Sequence, residues 1–259
     1  MTYKYKITLE YDGTNYSGWQ KQNNAKSIQG TLITAAQNFL NVPVEIQGAG
    51  RTDAGVHALG QVAHLESSRK INLETLRIGL NDNLSSGINI LRVENAPLRF
   101  HARHQAISRS YLYYISRRRT AFGKRYVWWI KDILDTKKMQ RAINVFTGFH
   151  DFSSFADKRM DKGTSTQVNV EKIELKEFGD IIAIRIVASH FLWKMVRRIV
   201  GITCEAGRGK FNLHDVEQLL NSHSEIPAHF TAPPSGFFLE KVLYPEDKFL
   251  PEMKPLIYV

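Results

Sequence analysis

The sequence holds a single cysteine, Cys204, so no internal disulfide can form. A fold stapled by disulfides is excluded, and a reducing cytoplasm is the expected setting. Long uncharged apolar runs are also missing. The most apolar-looking stretch, residues 181–202, carries Arg185, Lys194, Arg197 and Arg198, too many charges for a membrane span. The opening Met-Thr-Tyr-Lys-Tyr-Lys lacks the apolar core of a signal peptide. Nine histidines are present, but without a His-Glu-x-x-His or a paired Cys/His spacing, and His101 and His104 have no carboxylate in their own segment, so no metal site is expected. Gly-x-Ser-x-Gly is absent, which argues against a serine hydrolase of that type. Acid is scarce too, with 25 Asp+Glu against 35 Lys+Arg and a net charge of +10. What is present is apolar substance, 43% hydrophobic and 11% aromatic over 259 residues, enough for one large domain or two small ones and too much for a disordered basic tail. A folded chain with this excess of positive charge attracts a polyanion, and nucleic acid is the commonest one in the cytoplasm.

The positive charge is concentrated. Residues 97–125 hold eight Lys or Arg and no Asp or Glu, with Phe100, Tyr111, Tyr113, Tyr114 and Phe122 interleaved. Guanidinium groups neutralise phosphates and aromatic faces stack on unpaired bases, so this composition fits an RNA-binding surface. A solvated basic strand and turn beside ordinary core tyrosines fits it as well.

Hydrophobic periodicity gives an order of elements. Tyr3, Tyr5, Ile7, Leu9 and Tyr11 alternate with Lys4, Lys6, Thr8 and Glu10, the pattern of a half-buried strand. Ser27 reads as the N-cap of a helix with Ile28, Leu32, Ala35, Ala36 and Phe39 along one stripe. Strands are expected at 44–47, 60–66 and 88–94, a helix at 72–81, and a loop at 48–55. The second half begins with a strand at 111–115 and a helix capped by Asp135. Strands at 170–175 and 181–188, helices at 191–205 and 213–220, and a closing strand at 237–243 follow. This order predicts an α+β fold of two ferredoxin-like (RRM-like) halves, residues 1–97 and 98–259, each an antiparallel sheet with helices on one face.

The loop Gly48-Ala49-Gly50-Arg51-Thr52-Asp53-Ala54-Gly55-Val56-His57 sets three glycines around one arginine and one aspartate. It is neither a dinucleotide fingerprint, since Asp53 stands where a third glycine would fall, nor a phosphate loop, since no Gly-Lys-Ser/Thr follows. Two readings remain from the residues alone: a turn whose aspartate caps its own backbone, or a loop that presents Arg51 and Asp53 outward.

Residues 50–64, Gly-Arg-Thr-Asp-Ala-Gly-Val-His-Ala-Leu-Gly-Gln-Val-Ala-His, resemble the catalytic motif of the tRNA pseudouridine synthase A family. The resemblance continues through Tyr11-Asp12-Gly13 with Tyr16 and Gly18-Trp19-Gln20, then Ser27-Ile28-Gln29-Gly30 and Phe100-His101-Ala102-Arg103. Asp151-Phe152-Ser153-Ser154-Phe155, Met195-Val196-Arg197-Arg198-Ile199-Val200-Gly201 and Ala232-Pro233-Pro234-Ser235-Gly236 follow in the family's order. The pattern departs near Thr166, where the family would have an arginine about where Val168 stands.

The resemblance implies an enzyme that converts uridine to pseudouridine at positions 38, 39 and 40 of the tRNA anticodon stem-loop, without a cofactor, as a cytoplasmic homodimer. It makes Asp53 the catalytic carboxylate, which adds to C6 of uracil, attacks C1′ of the ribose, or acts as a base on the sugar. Tyr111 becomes the ring that stacks on the target base, with Tyr113 and Tyr114 left to the core. Arg197 becomes the cation paired with Asp53, while Arg198 reads as one of several cations on a basic helix face. Arg51 is expected to hold the backbone around the extruded nucleotide, with Arg103, Arg109, Arg117, Arg118 and Arg119 as further RNA contacts. Asp53 comes from the first half and the other two catalytic candidates from the second, so the expected active site is a cleft between the halves. A non-catalytic RNA-binding module would display an RNP1 aromatic pattern, and none is found.

Overall fold

The computed structural model describes residues 1–160, 163–247 and 250–256. The chain divides into two compact α+β units, Met1–Ile107 with Phe238–Lys248, and Ser108–Phe237 with Phe249–Val259.

In the first unit, β1 (Tyr3–Tyr11) buries Tyr5, Ile7, Leu9 and Tyr11 as its alternation requires. It is followed by α1 (Ile28–Leu40), β2 (Val44–Gly48), β3 (His57–Ser67), α2 (Leu73–Asp82) and β4 (Ile88–Ala96). All pairings among these strands are antiparallel, in the order β4-β1-β3-β2. Local chemistry sets both helix starts. The Ser27 side chain accepts the Gly30 N–H, and Asn72 accepts the N–H groups of Glu74 and Thr75, so each satisfies amides that a first turn leaves without partners.

The second unit contains β5 (Ser108–Ser116), β6 (Trp128–Trp129), α3 (Thr136–Asn144), β7 (Gly148–Asp151), β8 (Gln167–Phe178) and β9 (Ile181–Ala188). Then come α4 (Met195–Gly207), α5 (Leu213–Asn221) and the single turn α6 (Ile226–His229). β5, β9, β8 and β7 pair antiparallel in that order, and β6 adds to β5 in parallel. Every residue of β9 is buried, including Arg185, whose guanidinium donates to Glu174 and to the Pro251 carbonyl. The last strand, β10 (Phe237–Leu243), pairs in parallel with β3 through Phe238 and Leu239. β3 thus has β1 along one edge, and β2 and β10 share the other. Among the described residues no helix is long and apolar enough to cross a membrane.

Three expectations change. The division near residue 97 moves to Ile107, because residues 98–107 are tied into the first unit: Lys4 Nζ donates to the carbonyls of Leu98 and Phe100, and the Ile107 N–H donates to Leu243. The closing strand, assigned from element order to the second half, groups with the first unit from Phe238 onward, through its ladder with β3. The helix expected from residue 191 begins at Met195, because Lys194 adopts a left-handed conformation with φ 64° that no α-helix accommodates.

Ser27→Ala removes the cap of α1 and is expected to lower unfolding free energy by about 1 kcal/mol in urea titrations. An unchanged midpoint would mean that packing alone sets where this helix begins.

Candidate functional site

The loop at residues 49–56 has no regular secondary structure, yet its backbone is held from several sides. Trp19 donates its N–H to the Thr52 carbonyl (3.0 Å), and Gly55 donates to the Tyr16 carbonyl (3.2 Å). Within the loop Val56 donates to the Asp53 carbonyl, and Gln61 Nε2 reaches the Gly50 carbonyl at 2.9 Å. The Tyr11 and Thr52 hydroxyls lie 2.8 Å apart in a buried hydrogen bond. Close approach requires glycine on the opposing segment. A Cβ on Gly18, whose φ is +93°, would lie 2.5 Å from the Thr52 carbonyl oxygen, and one on Gly13 would lie 2.0 Å from that of Val56. The motifs at 11–20 and 48–57, far apart in sequence, therefore form one interlocked element. Thr52 is buried, Asp53 half-buried and Arg51 exposed.

Two buried histidines on β3 tie motifs together, His57 within this element and His64 at residues 100–103. His57 is buried, stacks on Phe238 with ring centroids 4.7 Å apart, and sets Nδ1 3.1 Å from Asp12 Oδ1 and 3.2 Å from the Gly13 nitrogen. Asp12 meanwhile accepts the Thr14 N–H and fixes the turn that delivers Gly13. His64 accepts the Ala102 N–H at Nδ1, and burial, aided by neighbouring His101 and Lys4, holds its pKa down to about 4. It is thus a neutral acceptor that anchors the Phe100-His101-Ala102-Arg103 motif. Neither role was readable in the sequence, because the partners of each histidine come from distant segments.

In the second unit Tyr111 lies on β5, buried, with its ring stacked on Phe237 (5.0 Å) and meeting Phe191 edge-on (4.9 Å). Tyr113 and Tyr114 are fully buried core residues, their hydroxyls donating to the carbonyls of Pro233 (2.7 Å) and Lys254 (2.8 Å). Burial raises the Tyr113 phenol well above its ordinary pKa, so it remains a neutral donor. Arg197, half-buried on α4, donates from Nε to the Ala232 carbonyl at 2.7 Å, and the Ala232 N–H returns a bond to the Arg197 carbonyl at 3.0 Å. This reciprocal pair ties the Ala232-Pro233-Pro234 segment to the helix.

One charge reading is corrected, and it concerns the start of α4, where Lys194 precedes the helix and pairs with Asp157 at 2.8 Å. Arg198 is not on a solvated face: it is 6% exposed and donates to the carbonyls of Ser154 and Ala156. At Val168, where the family pattern has an arginine, the side chain is fully buried on β8, a place suited to an apolar residue.

Of the RNA-contact candidates, Arg51, Arg103, Arg117, Arg118 and Arg119 are exposed, while Arg109 is half-buried and donates to the Ser189 carbonyl (3.0 Å). The run without acid in the sequence acquires acid in space. Arg117 pairs with Glu177 near the end of β8, and Arg118 lies 3.7 Å from Asp180 in the turn between β8 and β9. Arg119 lies over the Trp129 ring at 5.7 Å.

Gly18→Ala is expected to lower the melting temperature by several degrees and to expose residues 49–56 to proteolysis, because a left-handed backbone and a blocked approach combine there. Wild-type melting and an intact loop in that variant would show that the interlock does not hold it.

A family model described as tRNA pseudouridine synthase matches residues 7–105 and 142–245. Among curated proteins, the tRNA pseudouridine synthase A of Thermodesulfovibrio yellowstonii is 38% identical over 250 residues, covering 92% of this chain and 98% of its own. That of Allorhizobium ampelinum is 39% identical over 249 residues, covering 94% and 96%. That of Sinorhizobium fredii is 37% identical over 246 residues, covering 93% and 99%. With matches of this length, which include the interlocked loop, the chain belongs to the tRNA pseudouridine synthase family.

Proposed function

We propose that the protein isomerises uridine to pseudouridine at positions 38, 39 and 40 of the tRNA anticodon stem-loop. The observation that carries this reading is the family match across the loop that bears a half-buried Asp53 on an over-determined backbone. The reaction breaks the bond between C1′ and N1, turns the uracil and joins C1′ to C5; C5 gives up its hydrogen as a proton and the freed N1 takes up a proton, so the formula is unchanged. No electrons are gained or lost. The detached base must be retained meanwhile, and a loop fixed by its neighbours suits that task better than a mobile one.

In this reading Asp53 supplies the carboxylate at the glycosidic bond. Tyr111, already packed between two aromatic rings, offers its remaining surface to the uracil, and its hydroxyl is a candidate for proton transfer at C5. Arg197 is the cation assigned to Asp53, and its bond to the Ala232 carbonyl orients the side chain. Arg51 holds the RNA backbone with the nucleotide turned out, an extrusion that costs roughly a few kcal/mol. Arg103, Arg109, Arg117, Arg118 and Arg119 serve the rest of the tRNA. A cytoplasmic homodimer belongs to the same reading, as does a ferredoxin-like description of each unit. In the first unit, the strand-helix-strand-strand-helix-strand order supports that description.

The test is release of tritium from tRNA labelled at C5 of uridine. Purified protein should liberate it, and Asp53→Asn should bind tRNA with unaltered affinity while releasing none. Substantial turnover by that variant would remove Asp53 from the chemistry, and failure of the wild type to release label from an unmodified anticodon stem-loop would leave only RNA binding.

Changing Arg117, Arg118 and Arg119 together to Gln should weaken tRNA binding and lower the slope of log affinity against log salt by about 1 to 2, given a slope of roughly 0.9 per duplex phosphate contact. An unchanged slope would move the RNA footprint elsewhere.

A further inference from the structure

The second unit contains an open pocket of about 220 Å³ away from Tyr111 and Arg197 in its lining, bounded by Arg198, Ser154, Thr164, Thr166, His223 and Ser224 among others. Arg198 lies in its wall with a charge that the protein leaves incompletely answered. The residue is 6% exposed, its guanidinium reaches only the carbonyls of Ser154 and Ala156, and its Nε has no hydrogen-bond partner. Among the described residues no carboxylate forms an ion pair with it, and only the field of Asp157 partly offsets the cost of its burial. Asp157, the nearest acid in the lining, is already engaged by Arg159 through both oxygens and by Lys194 at 2.8 Å. Glu225 is engaged by Lys158 at 2.5 Å. A buried cation without an anion is costly, whereas one that a ligand neutralises is not.

The charge around the pocket favours an anion. Lys158 and Arg198 line it with Asp157 and Glu225, but Glu225 is taken by Lys158, and Asp157 by Arg159 and Lys194 from outside the lining, so Arg198 is the cation left over. The hydroxyl of exposed Thr164 provides a donor of the kind a tetrahedral oxyanion accepts, while that of Thr166 is engaged by Asp151. On the rim the exposed Trp193 ring carries Arg159 at 4.2 Å and Lys194 at 5.9 Å, and its carbonyl accepts the Asp157 N–H. An aromatic ring and arginine beside an oxyanion pocket is the arrangement by which proteins hold a nucleic-acid strand, with phosphate in the pocket and stacking surfaces next to it.

We propose that the Arg198 pocket is a second RNA contact that takes a backbone phosphate, separate from the residues assigned to the chemistry. The proposal rests on tRNA being the substrate. Its chemistry is shared with a free phosphate ion, so the experiment separates the two sources.

Affinity for unmodified tRNA is measured by filter binding between 50 and 200 mM salt for the wild type, Arg198→Met and Thr164→Glu. The second substitution is at an exposed position and sets a carboxylate at the pocket without disturbing the core. Both variants should bind tRNA roughly tenfold more weakly, as loss of one charge-assisted phosphate contact predicts, and with a salt slope lower by about 1. A merely structural role for Arg198 would not move that slope, and Thr164→Glu answers the question even if Arg198→Met fails to fold. In parallel, inorganic phosphate alone is titrated in thermal melts. If phosphate stabilises the wild type but neither variant, while tRNA binding is unaltered in both, the ligand is a free ion and the RNA assignment falls. If neither tRNA affinity, slope nor phosphate response changes in Thr164→Glu, the pocket is not an anion site. Tritium release by the wild type, measured alongside, keeps the two readings apart: with release intact and the variants silent only the pocket fails, and with phosphate binding intact and release absent only the proposed reaction fails.

Discussion

The constraint on which the rest depends is the docking of two irregular segments, 11–19 and 49–56, through their own backbones. A carboxylate that acts at a glycosidic bond must be placed to a fraction of an ångström, and a loop cannot borrow that rigidity from a helix or sheet ladder. Here the Trp19 N–H on the Thr52 carbonyl and the Gly55 N–H on the Tyr16 carbonyl take the place of a ladder. Each such bond contributes only about 1 kcal/mol net, so the rigidity comes from their number and from the buried Tyr11–Thr52 bond that closes the set. Gly18 is the condition for all of them, since a side chain there would meet the Thr52 carbonyl before either segment could dock.

The second unit fixes its own candidates differently. Tyr111 is oriented by packing between Phe191 and Phe237, and Arg197 by the exchange of hydrogen bonds with Ala232. Tyr113 supports the same segment through Pro233, so a candidate residue on α4 and a core residue on β5 meet the same short stretch of chain. Removal of any of these polar partners would leave a buried donor or acceptor unsatisfied, a larger penalty than the bond itself is worth.

Much of this was legible in the sequence because it is local. Alternation over Tyr3–Tyr11 gave β1 with its correct buried face, and Ser27 and Asp135 marked helix starts by capping chemistry that depends on the next three residues alone. The start of α4 was not legible, because Phe191 to Lys194 continue an apolar pattern that only the left-handed Lys194 interrupts. β6 and β7 escaped because two and four residues are too short to show a period. The supports of the site escaped for another reason. His57 on Asp12 and His64 on Ala102 join segments whose proximity is a product of the fold, and no spacing along the chain records it.

The same distinction alters the meaning of the net charge. A cation contributes to a polyanion's attraction only where it is exposed and where no carboxylate stands against it. Arg185 is buried on β9 with Glu174, Lys4 is paired with Glu66 at 2.7 Å, and Arg117 and Arg118 face Glu177 and Asp180, so a run that reads as uninterrupted positive charge is partly neutralised once folded. Arg198 is the opposite case, a cation hidden from bulk solvent that feels the field of Asp157 but forms no ion pair among the described residues, and whose Nε has no hydrogen-bond partner. Low dielectric strengthens an interaction with any anion that reaches such a group, so a single buried arginine beside a pocket weighs more in recognition than several solvated ones on a surface. The distribution of charge in the fold, rather than its sum in the sequence, determines where a phosphate chain can be gripped.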